Sequence, residues 1–251
     1  MNRHYLVPSI GAAVLLAAVG GYYFWQNHPA PAAPAATATG PHIENPLPAS
    51  SDVPLPALAD SDGALTSELA TLFHTQSLSD LFYPTRLANR FVATVDNLPR
   101  EQVAATVRLM RPPPGAVAVR GEEPSLSLSP DNSARYAQYL KLLAAADTGQ
   151  AVGLYRKFYP LLQQAYDELG YPGHYFNDRV VEVIDHLLAT PDVADPVPLI
   201  HPSVMYKFAD PRIEARSAGQ KAMIRIGREN AAAIKVKLRE IRAQIATRPP
   251  A

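Results

Sequence analysis

The sequence predicts a mainly α-helical protein: an irregular multi-helix domain with at most a small β-hairpin, preceded by one transmembrane helix. Three observations predict it. Apolar residues recur at helical spacing through most of the chain after residue 60. An uncharged apolar run near the N-terminus is long enough to cross a bilayer. The segment between them is too rich in proline and alanine to fold alone.

The predicted anchor covers residues 5–25, which carry no charged side chain. At about 1.5 Å per residue a helix of this length spans roughly 30 Å of hydrocarbon. Tyr5 at one end and the run Tyr22 to Trp25 at the other place aromatic rings at both interfaces. Arg3 precedes the span, and no Lys or Arg follows until Arg86. The positive-inside rule therefore keeps residues 1–4 in the cytoplasm and exports the rest.

A cleaved signal peptide is the alternative interpretation of this leader. Ala18, Val19 and Gly20 are small residues of the kind that a signal peptidase needs. The aromatic run that follows favours an uncleaved anchor, because signal peptides normally become polar near the cut. Both interpretations export the bulk of the chain, and the anchor predicts a single-pass inner-membrane protein with a periplasmic C-terminal domain.

Residues 26–59 form a predicted linker of proline, alanine and small polar residues. Its prolines favour an extended backbone of about 3.1 Å per residue, typical of a spacer. The exported helical domain is predicted at 60–246, with a flexible tail at 247–251. With 251 residues and 47% hydrophobic content, the chain is long enough for one substantial core.

The domain is predicted to contain a series of helices divided by proline and glycine. Pro84 stands at the head of the second helix, Pro160 is expected to kink or split the fourth, and Asn177 is expected to cap the fifth. Residues 111–130 break the helical period and suggest a loop or small hairpin, and 204–208 suggests one strand. The predicted helices cover residues 61–73, 84–98, 129–146, 147–169, 178–189 and 230–246.

Six stretches resemble a bacterial family known as domain of unknown function 3014. They are "LPALADSD", "FVATVDNLPR", "LSPDNSARY", "YPLLQQAYDELGYPGHYFNDR", "VIDHLL" and "FADPRIEARSAGQK". The resemblance covers about residues 57–246. It implies a single-span envelope protein with an anchor and a spacer, and it implies no activity, ligand or catalytic residue.

The stretch "LGYPGHYFNDR", residues 169–179, concentrates polar and aromatic side chains between two helices. Its first interpretation is an active site. Glu168, His174 and Asp178 would supply an acid, a base and an orienting carboxylate, and Arg179 would bind an anionic substrate. Tyr171 and Tyr175 would stack on sugars. The second interpretation is a joint in which the tyrosine rings fill the space between two helices and Arg179 pairs with an acid.

No metal site or cofactor is predicted. His174 with Asp178, or His186 with Asp185 and Glu182, gives too few ligands at suitable spacing for zinc. The chain has no cysteine, which excludes disulfides, thiolate metal sites and a cysteine nucleophile. Ser217 and Lys221 suggest a serine–lysine dyad, but the companion motifs are missing. Gly219 between them is interpreted as a site of close helix packing or a turn.

Charge is distributed unevenly although the formal net charge is zero. Residues 60–206 hold eleven basic and seventeen acidic residues, whereas 207–251 hold eleven and four. In the last helix Lys235, Arg239 and Arg242, with Lys237, lie mostly off the apolar stripe. They suggest a basic face for an acidic envelope protein, anionic lipid or anionic glycan. No nucleic acid partner is expected outside the cytoplasm.

These observations predict a membrane-anchored envelope protein that acts as a binding or scaffolding module. The alternative is a hydrolase of envelope polymer or glycan, with Glu168, His174, Asp178 and Arg179 as the catalytic candidates. The sequence leaves open whether the protein is an enzyme.

Overall fold

The computed structural model describes residues 43–48, 54–75, 77–202 and 205–247. This part of the chain is mainly helical, as predicted. Short 3₁₀ turns at Leu58–Asp60, Leu78–Asp80, Ala105–Val107 and Pro130–Tyr136 connect or precede the helices. The described α-helices are α1 Asp62–Leu72, α2 Leu87–Asn97, α3 Ala137–Ala145, α4 Thr148–Glu168, α5 Phe176–Leu188, α6 Pro211–Glu214, α7 Ala218–Arg225 and α8 Arg228–Ile245.

The main core lies where α2 packs against α4 and where α5 packs against α8. Its most deeply buried apolar side chains include Val92, Val152, Phe158 and Phe176. Each of the four helices turns one apolar face inward, as its 3.6-residue period predicts. Burial of these faces holds the elements that position the candidate site.

Helix α4 is continuous for 21 residues although it contains Pro160. Of the predicted kink or split at Pro160, the split is therefore wrong. Pro160 faces solvent, whereas Phe158, Leu161 and Leu162 are buried around it. Packing on both sides of the proline keeps the helix intact despite the missing N–H. Asp147 caps the start of α4 by accepting the Gln150 N–H at 2.8 Å.

Two predicted helix starts also differ from the structure. Helix α2 begins at Leu87 rather than at Pro84, because Arg86 has a left-handed φ of 55°. The carboxylate of Asp62 accepts the N–H groups of Arg86 and Leu87, each at 2.7 Å. A residue 24 positions upstream therefore caps this helix. Asn177 lies inside the first turn of α5, so it is not the cap that the sequence suggested.

In the part of the chain that the structure describes, the β-structure consists of two short antiparallel strand pairs rather than at most one hairpin. Strand β1 Val119–Arg120 pairs with β2 Ser127–Leu128, within the predicted hairpin region. Strand β3 Leu199–Ile200 pairs with β4 Lys207–Phe208. The Leu128 N–H donates to the Val197 carbonyl at 2.9 Å and joins the two hairpins. Strand β4 lies within the strand predicted at 204–208. Its two-residue partner β3 is too short to show alternation, so the sequence did not predict the pairing.

Residues 43–48 and 54–59 belong to the predicted linker, and both stretches contact the helical domain. Leu47 and Leu55 pack against the main core. The predicted anchor at 5–25 lies outside the described residues. Among the residues that the structure does describe, no helix is long and apolar enough to cross a membrane.

Candidate functional site

The joint between α4 and α5 contains most of the residues that the sequence singled out. Gly170 and Gly173 have φ of 115° and 81°, which lets the chain turn sharply after α4. Gln163 fixes the far side of the turn. Its side-chain oxygen accepts the Phe176 N–H at 2.9 Å, and its side-chain nitrogen donates to the His174 carbonyl at 2.7 Å.

Tyrosine rings fill the space inside this joint. Tyr166 stacks on Tyr171 with centroids 4.7 Å apart, and Tyr159 lies 5.2 Å from Tyr175. Burial raises the pKa of Tyr166 to about 12 and raises the pKa of Tyr159 further. These rings pack against each other as core side chains do.

Arg179 reaches back to α2 and binds a buried carboxylate. Its Nε lies 3.0 Å from Oδ1 of Asp96, a residue that is only 1% exposed. The other oxygen of Asp96 accepts from Arg100 at 2.7 Å and from the Tyr171 hydroxyl at 3.3 Å. The negative charge of Asp96 raises the pKa of Arg100. Arg179 therefore has a partner inside the protein.

Asp178 and Tyr175 face a different neighbour, the segment 43–48. Asp178 accepts the Asn45 N–H at 2.7 Å through Oδ1 and the Glu44 N–H at 3.1 Å through Oδ2. The Tyr175 hydroxyl accepts the Leu47 N–H at 3.0 Å. Asp178 and Tyr175 thus hold the segment 43–48 against the start of α5.

Asn177 is fully buried between these contacts and joins three parts of the chain. Its Nδ2 donates to the carbonyls of Asn45 at 2.8 Å and Ile245 at 2.9 Å. Its Oδ1 accepts from the Tyr155 hydroxyl at 3.0 Å. Local sequence patterns predict neither this role nor that of Asp96, because the partners are distant along the chain.

Glu168 and His174 are exposed, and they lie apart from the other two catalytic candidates. Glu168 accepts from the Gln164 side chain at 3.1 Å on the outer face of α4. The His174 ring makes an edge contact with Tyr171, with centroids 6.2 Å apart. The structure therefore gives the four candidates separate partners and does not gather them around one cleft.

Most of the basic side chains on α8 also have internal partners. The Lys235 ammonium donates to the Thr190 carbonyl at 2.6 Å. Arg242 binds the carboxylate of Asp185 through two nitrogens, at 2.5 and 2.9 Å. Arg239 is exposed to solvent. Lys237 donates to the Thr148 hydroxyl at 3.0 Å. The expected basic face is thus reduced, because three of its four predicted residues are engaged within the domain.

Ser217 is paired with a histidine rather than with Lys221. The His186 Nε2 lies 2.8 Å from Ser217 Oγ, which also accepts the Gln220 N–H at 3.2 Å as the cap of α7. The Lys221 ammonium instead donates to the Glu214 carbonyl at 3.1 Å. Gly219 lies where α7 approaches α5, in agreement with the predicted close helix packing. These contacts are those of a residue that caps the N-terminus of α7.

A cleft of about 730 Å³ lies between the hairpins, the loop after α5 and the start of α8. Its size falls within the usual range for ligand sites, which is about 300–1,000 Å³. The exposed pair of Arg228 and Asp192, joined at 2.8 Å, stands at one side of it. Its lining carries both charge signs, from Asp192, Asp195, Arg225, Arg228, Glu229 and Lys235.

Comparison with known proteins agrees with the resemblance in the sequence. A family model described as "Protein of unknown function (DUF3014)" matches residues 87–242, which include the joint and every lining residue of the cleft. No curated protein and no solved structure matches the chain significantly. Since the matched region covers more than half of its length, the chain belongs to the domain of unknown function 3014 family.

Proposed function

We propose that the protein is a membrane-anchored binding module of the cell envelope, and that the cleft beside α8 takes a segment of another envelope protein. The observation that carries this proposal is the cleft itself, with its volume of about 730 Å³ and its mixed lining. Apolar residues such as Val193, Val197 and Ile226 line it together with acidic and basic ones. A peptide offers the same mixture of apolar, polar and charged groups.

An anionic glycan or lipid headgroup fits this cleft less well. Such a ligand favours a concentration of positive charge. Within the cleft Arg228 is paired with Asp192, Lys235 donates to a backbone carbonyl, and Asp195 and Glu229 add negative charge. A protein segment with both charge signs suits this lining better.

The anchor at 5–25 and export of the domain are part of the proposal. They rest on the uncharged apolar run and on Arg3 before it. A tethered module acts by position, because the anchor raises the effective concentration of the domain near partners in the same membrane.

The alternative function, hydrolysis of envelope polymer or glycan, has less support. A hydrolase needs its acid and base within reach of one bond. Asp178 binds the backbone of residues 44 and 45, Arg179 binds Asp96, and His174 and Glu168 are exposed on the surface. The geometry therefore favours binding over this chemistry.

Site-specific photocrosslinking in intact cells tests the cleft. A photoreactive residue at Ala232, which is exposed and lines the cleft, should give a discrete adduct with one protein. The same residue at Ala233 is the matched control. Ala233 is equally exposed but lies outside the lining, and adjacent helical positions point about 100° apart.

The double reversal Asp195→Lys with Glu229→Lys should abolish the adduct at position 232. Equal adducts at 232 and 233, or an adduct unaffected by the reversal, would contradict a specific site. An adduct that resists protease and disappears on glycan digestion would replace the protein partner with a glycan.

Anchoring and export are tested separately. A C-terminal alkaline phosphatase fusion to the full chain should be active and should sediment with membranes, because this enzyme folds only outside the cytoplasm. Recovery of an inactive fusion in the soluble fraction would contradict both the anchor and the orientation.

A further inference from the structure

One edge of the cleft is a stretch of backbone whose hydrogen-bonding groups have no partner. Residues 192–195 belong to no helix or strand. Within the part of the chain that the structure describes, none of their backbone N–H or C=O groups takes part in a hydrogen bond. Asp192, Val193 and Asp195 line the cleft, whereas Ala194 lies outside its lining. This backbone is therefore open to a partner that enters the cleft.

The stretch runs past the end of a strand that turns away from it. Just downstream, the Val197 carbonyl accepts the Leu128 N–H at 2.9 Å, and the chain there is antiparallel to β2. Strand β2 ends at Leu128, because Pro130 has no N–H and begins a 3₁₀ helix. Residues 192–195 therefore continue along the sheet with no described strand beside them on this side.

The cleft occupies the place where a continuation of β2 would run. Ser129 and Pro130 line it on one side, and residues 192–195 form the other. An extended peptide placed there would pair its backbone with this open stretch, as a peptide does when it adds a strand to a sheet edge. Its alternate side chains would contact apolar lining residues such as Val193 and Ile226.

The charged side chains of the lining indicate the chemistry of such a peptide. All three basic ones, Arg225, Arg228 and Lys235, already bind carbonyl or carboxylate groups of the domain. Asp195 and Glu229 are exposed, and neither makes a hydrogen bond or an ion pair with the described residues. Two carboxylates without a partner favour a cationic side chain on the ligand.

We propose that the cleft binds an extended segment of its partner by strand addition to residues 192–195, and that this segment carries a Lys or Arg side chain for Asp195 and Glu229. The inference rests on the proposed function, because it gives the binding mode of the same cleft. Main-chain pairing supplies affinity, and the basic side chain selects the segment.

Two proline variants test the main-chain pairing. Val193→Pro removes an N–H group at the cleft and keeps an apolar ring there. Ala194→Pro is the matched control, since it removes the next N–H group along the chain, outside the lining. Neither N–H group has a partner in the described part of the domain, so thermal melting of both full-length variants should resemble that of the wild type.

The photocrosslink at position 232 in intact cells gives the readout. Val193→Pro should lower the adduct yield by about tenfold, as for the loss of one hydrogen bond, and Ala194→Pro should leave it unchanged. An adduct that survives Val193→Pro, or one that both prolines weaken equally, would overturn this inference alone. A wild type that gives no adduct would overturn the proposed function together with it.

A second measurement does not depend on how the proline variants fold. The crosslinked segment is identified by tandem mass spectrometry, synthesised as a peptide and titrated into the purified full chain. It should contain Lys or Arg, and on binding it should slow hydrogen exchange at residues 193–195. The double variant Asp195→Asn with Glu229→Gln should bind it about tenfold more weakly. A segment without a basic residue, or exchange that does not change on binding, would contradict the proposal.

Discussion

At the residue scale, Asp96 shows how a buried charge is stabilised in this protein. Its carboxylate accepts from Arg179, Arg100 and Tyr171, so its lost hydration is replaced by charged and polar donors. The arrangement ties α2 to the joint between α4 and α5. Removing the charge would leave Arg179 partly buried beside a neutral group.

We therefore expect Asp96→Asn to lower the free energy of unfolding by about 3 kcal/mol, the usual cost of breaking a buried ion pair. Chemical denaturation of the full chain measures it. Glu182→Gln is the control, because Glu182 also binds Arg179 but its side chain is 65% exposed. Glu182→Gln should lower the free energy of unfolding by less than about 1 kcal/mol. Equal losses in both variants would show that burial of Asp96 does not matter.

Asn177 and Asp96 also show which structural roles local sequence patterns do not predict. The Arg179 partner of Asp96 lies 83 positions away, and the Asn45 partner of Asn177 lies 132 positions away. Neither residue stands in a local motif. The sequence predicts a helix cap at Asn177, because capping is the commonest use of asparagine before a helix. Only the structure shows that the Asn177 side-chain amide donates to the carbonyls of Asn45 and Ile245.

At the element scale, the close approach of α7 to α5 depends on Gly219. A Cβ atom there would lie 2.6 Å from a methyl group of Leu187 and 3.0 Å from the Leu98 carbonyl oxygen. Leu98 also accepts the Gly219 N–H at 2.9 Å, so this backbone cannot easily move away. Glycine is thus required by space rather than by backbone conformation.

Gly219→Ala should accordingly destabilise the protein by about 1–3 kcal/mol through overpacking. Gly153→Ala is the matched control in α4, where nothing lies within 4 Å of the added methyl group. That change should stabilise the helix by about 0.5–1 kcal/mol. Thermal melting of both variants gives the sign of each effect, and a stable Gly219→Ala would mean that the helices separate at little cost.

The segment 43–48 is an element without regular structure, and side chains hold it in place. Asn45 is the central contact, since it binds Asp178, Asn177 and Thr247. We expect Asn45→Ala to speed hydrogen exchange at the amides of residues 44, 45 and 47 by about tenfold, which corresponds to about 1.4 kcal/mol. Mass spectrometry of peptic fragments measures the exchange.

Ile43→Ala is the control for this experiment, because Ile43 is 47% exposed at the edge of the same segment. It should leave the exchange rates unchanged. If Asn45→Ala also had no effect, the segment would be held by the apolar contact of Leu47 rather than by the polar network.

At the scale of the whole molecule, the buried tyrosines predict how stability depends on alkaline pH. The pKa of Tyr166 rises from 10.0 to about 12, chiefly because burial disfavours the phenolate, and burial also raises the pKa of Tyr155. Below pH 10 these tyrosines are protonated in both the folded and the unfolded chain, so they add no pH dependence to the free energy of unfolding. Above it the unfolded chain loses protons first, and stability falls.

Denaturation curves should therefore show a steady loss of stability between about pH 10 and pH 12. Tyr166→Phe should reduce that slope, since it removes one of the groups that titrate differently in the two states. An equal slope in the wild type and in Tyr166→Phe would contradict the role of burial at this tyrosine.

The sequence predicts six of the eight described helices, whereas it predicts neither α6 and α7 nor the geometry of the site. Helices such as α8 follow from the local period of Ile234, Leu238 and Ile241. The continuity of α4 through Pro160 and the second hairpin depend on tertiary packing, which local patterns do not record. The cleft depends on the spaces between elements, so no sequence motif predicts it.

The bonds between Asn45 and Thr247 have a mechanical consequence. The Thr247 N–H donates to the Asn45 side chain at 3.0 Å, and the Thr247 hydroxyl donates to the Glu44 carbonyl at 2.6 Å. The described chain thus enters and leaves the domain at one place. Tension applied between its two ends would load these few bonds first and leave the helical core unstretched until they gave way.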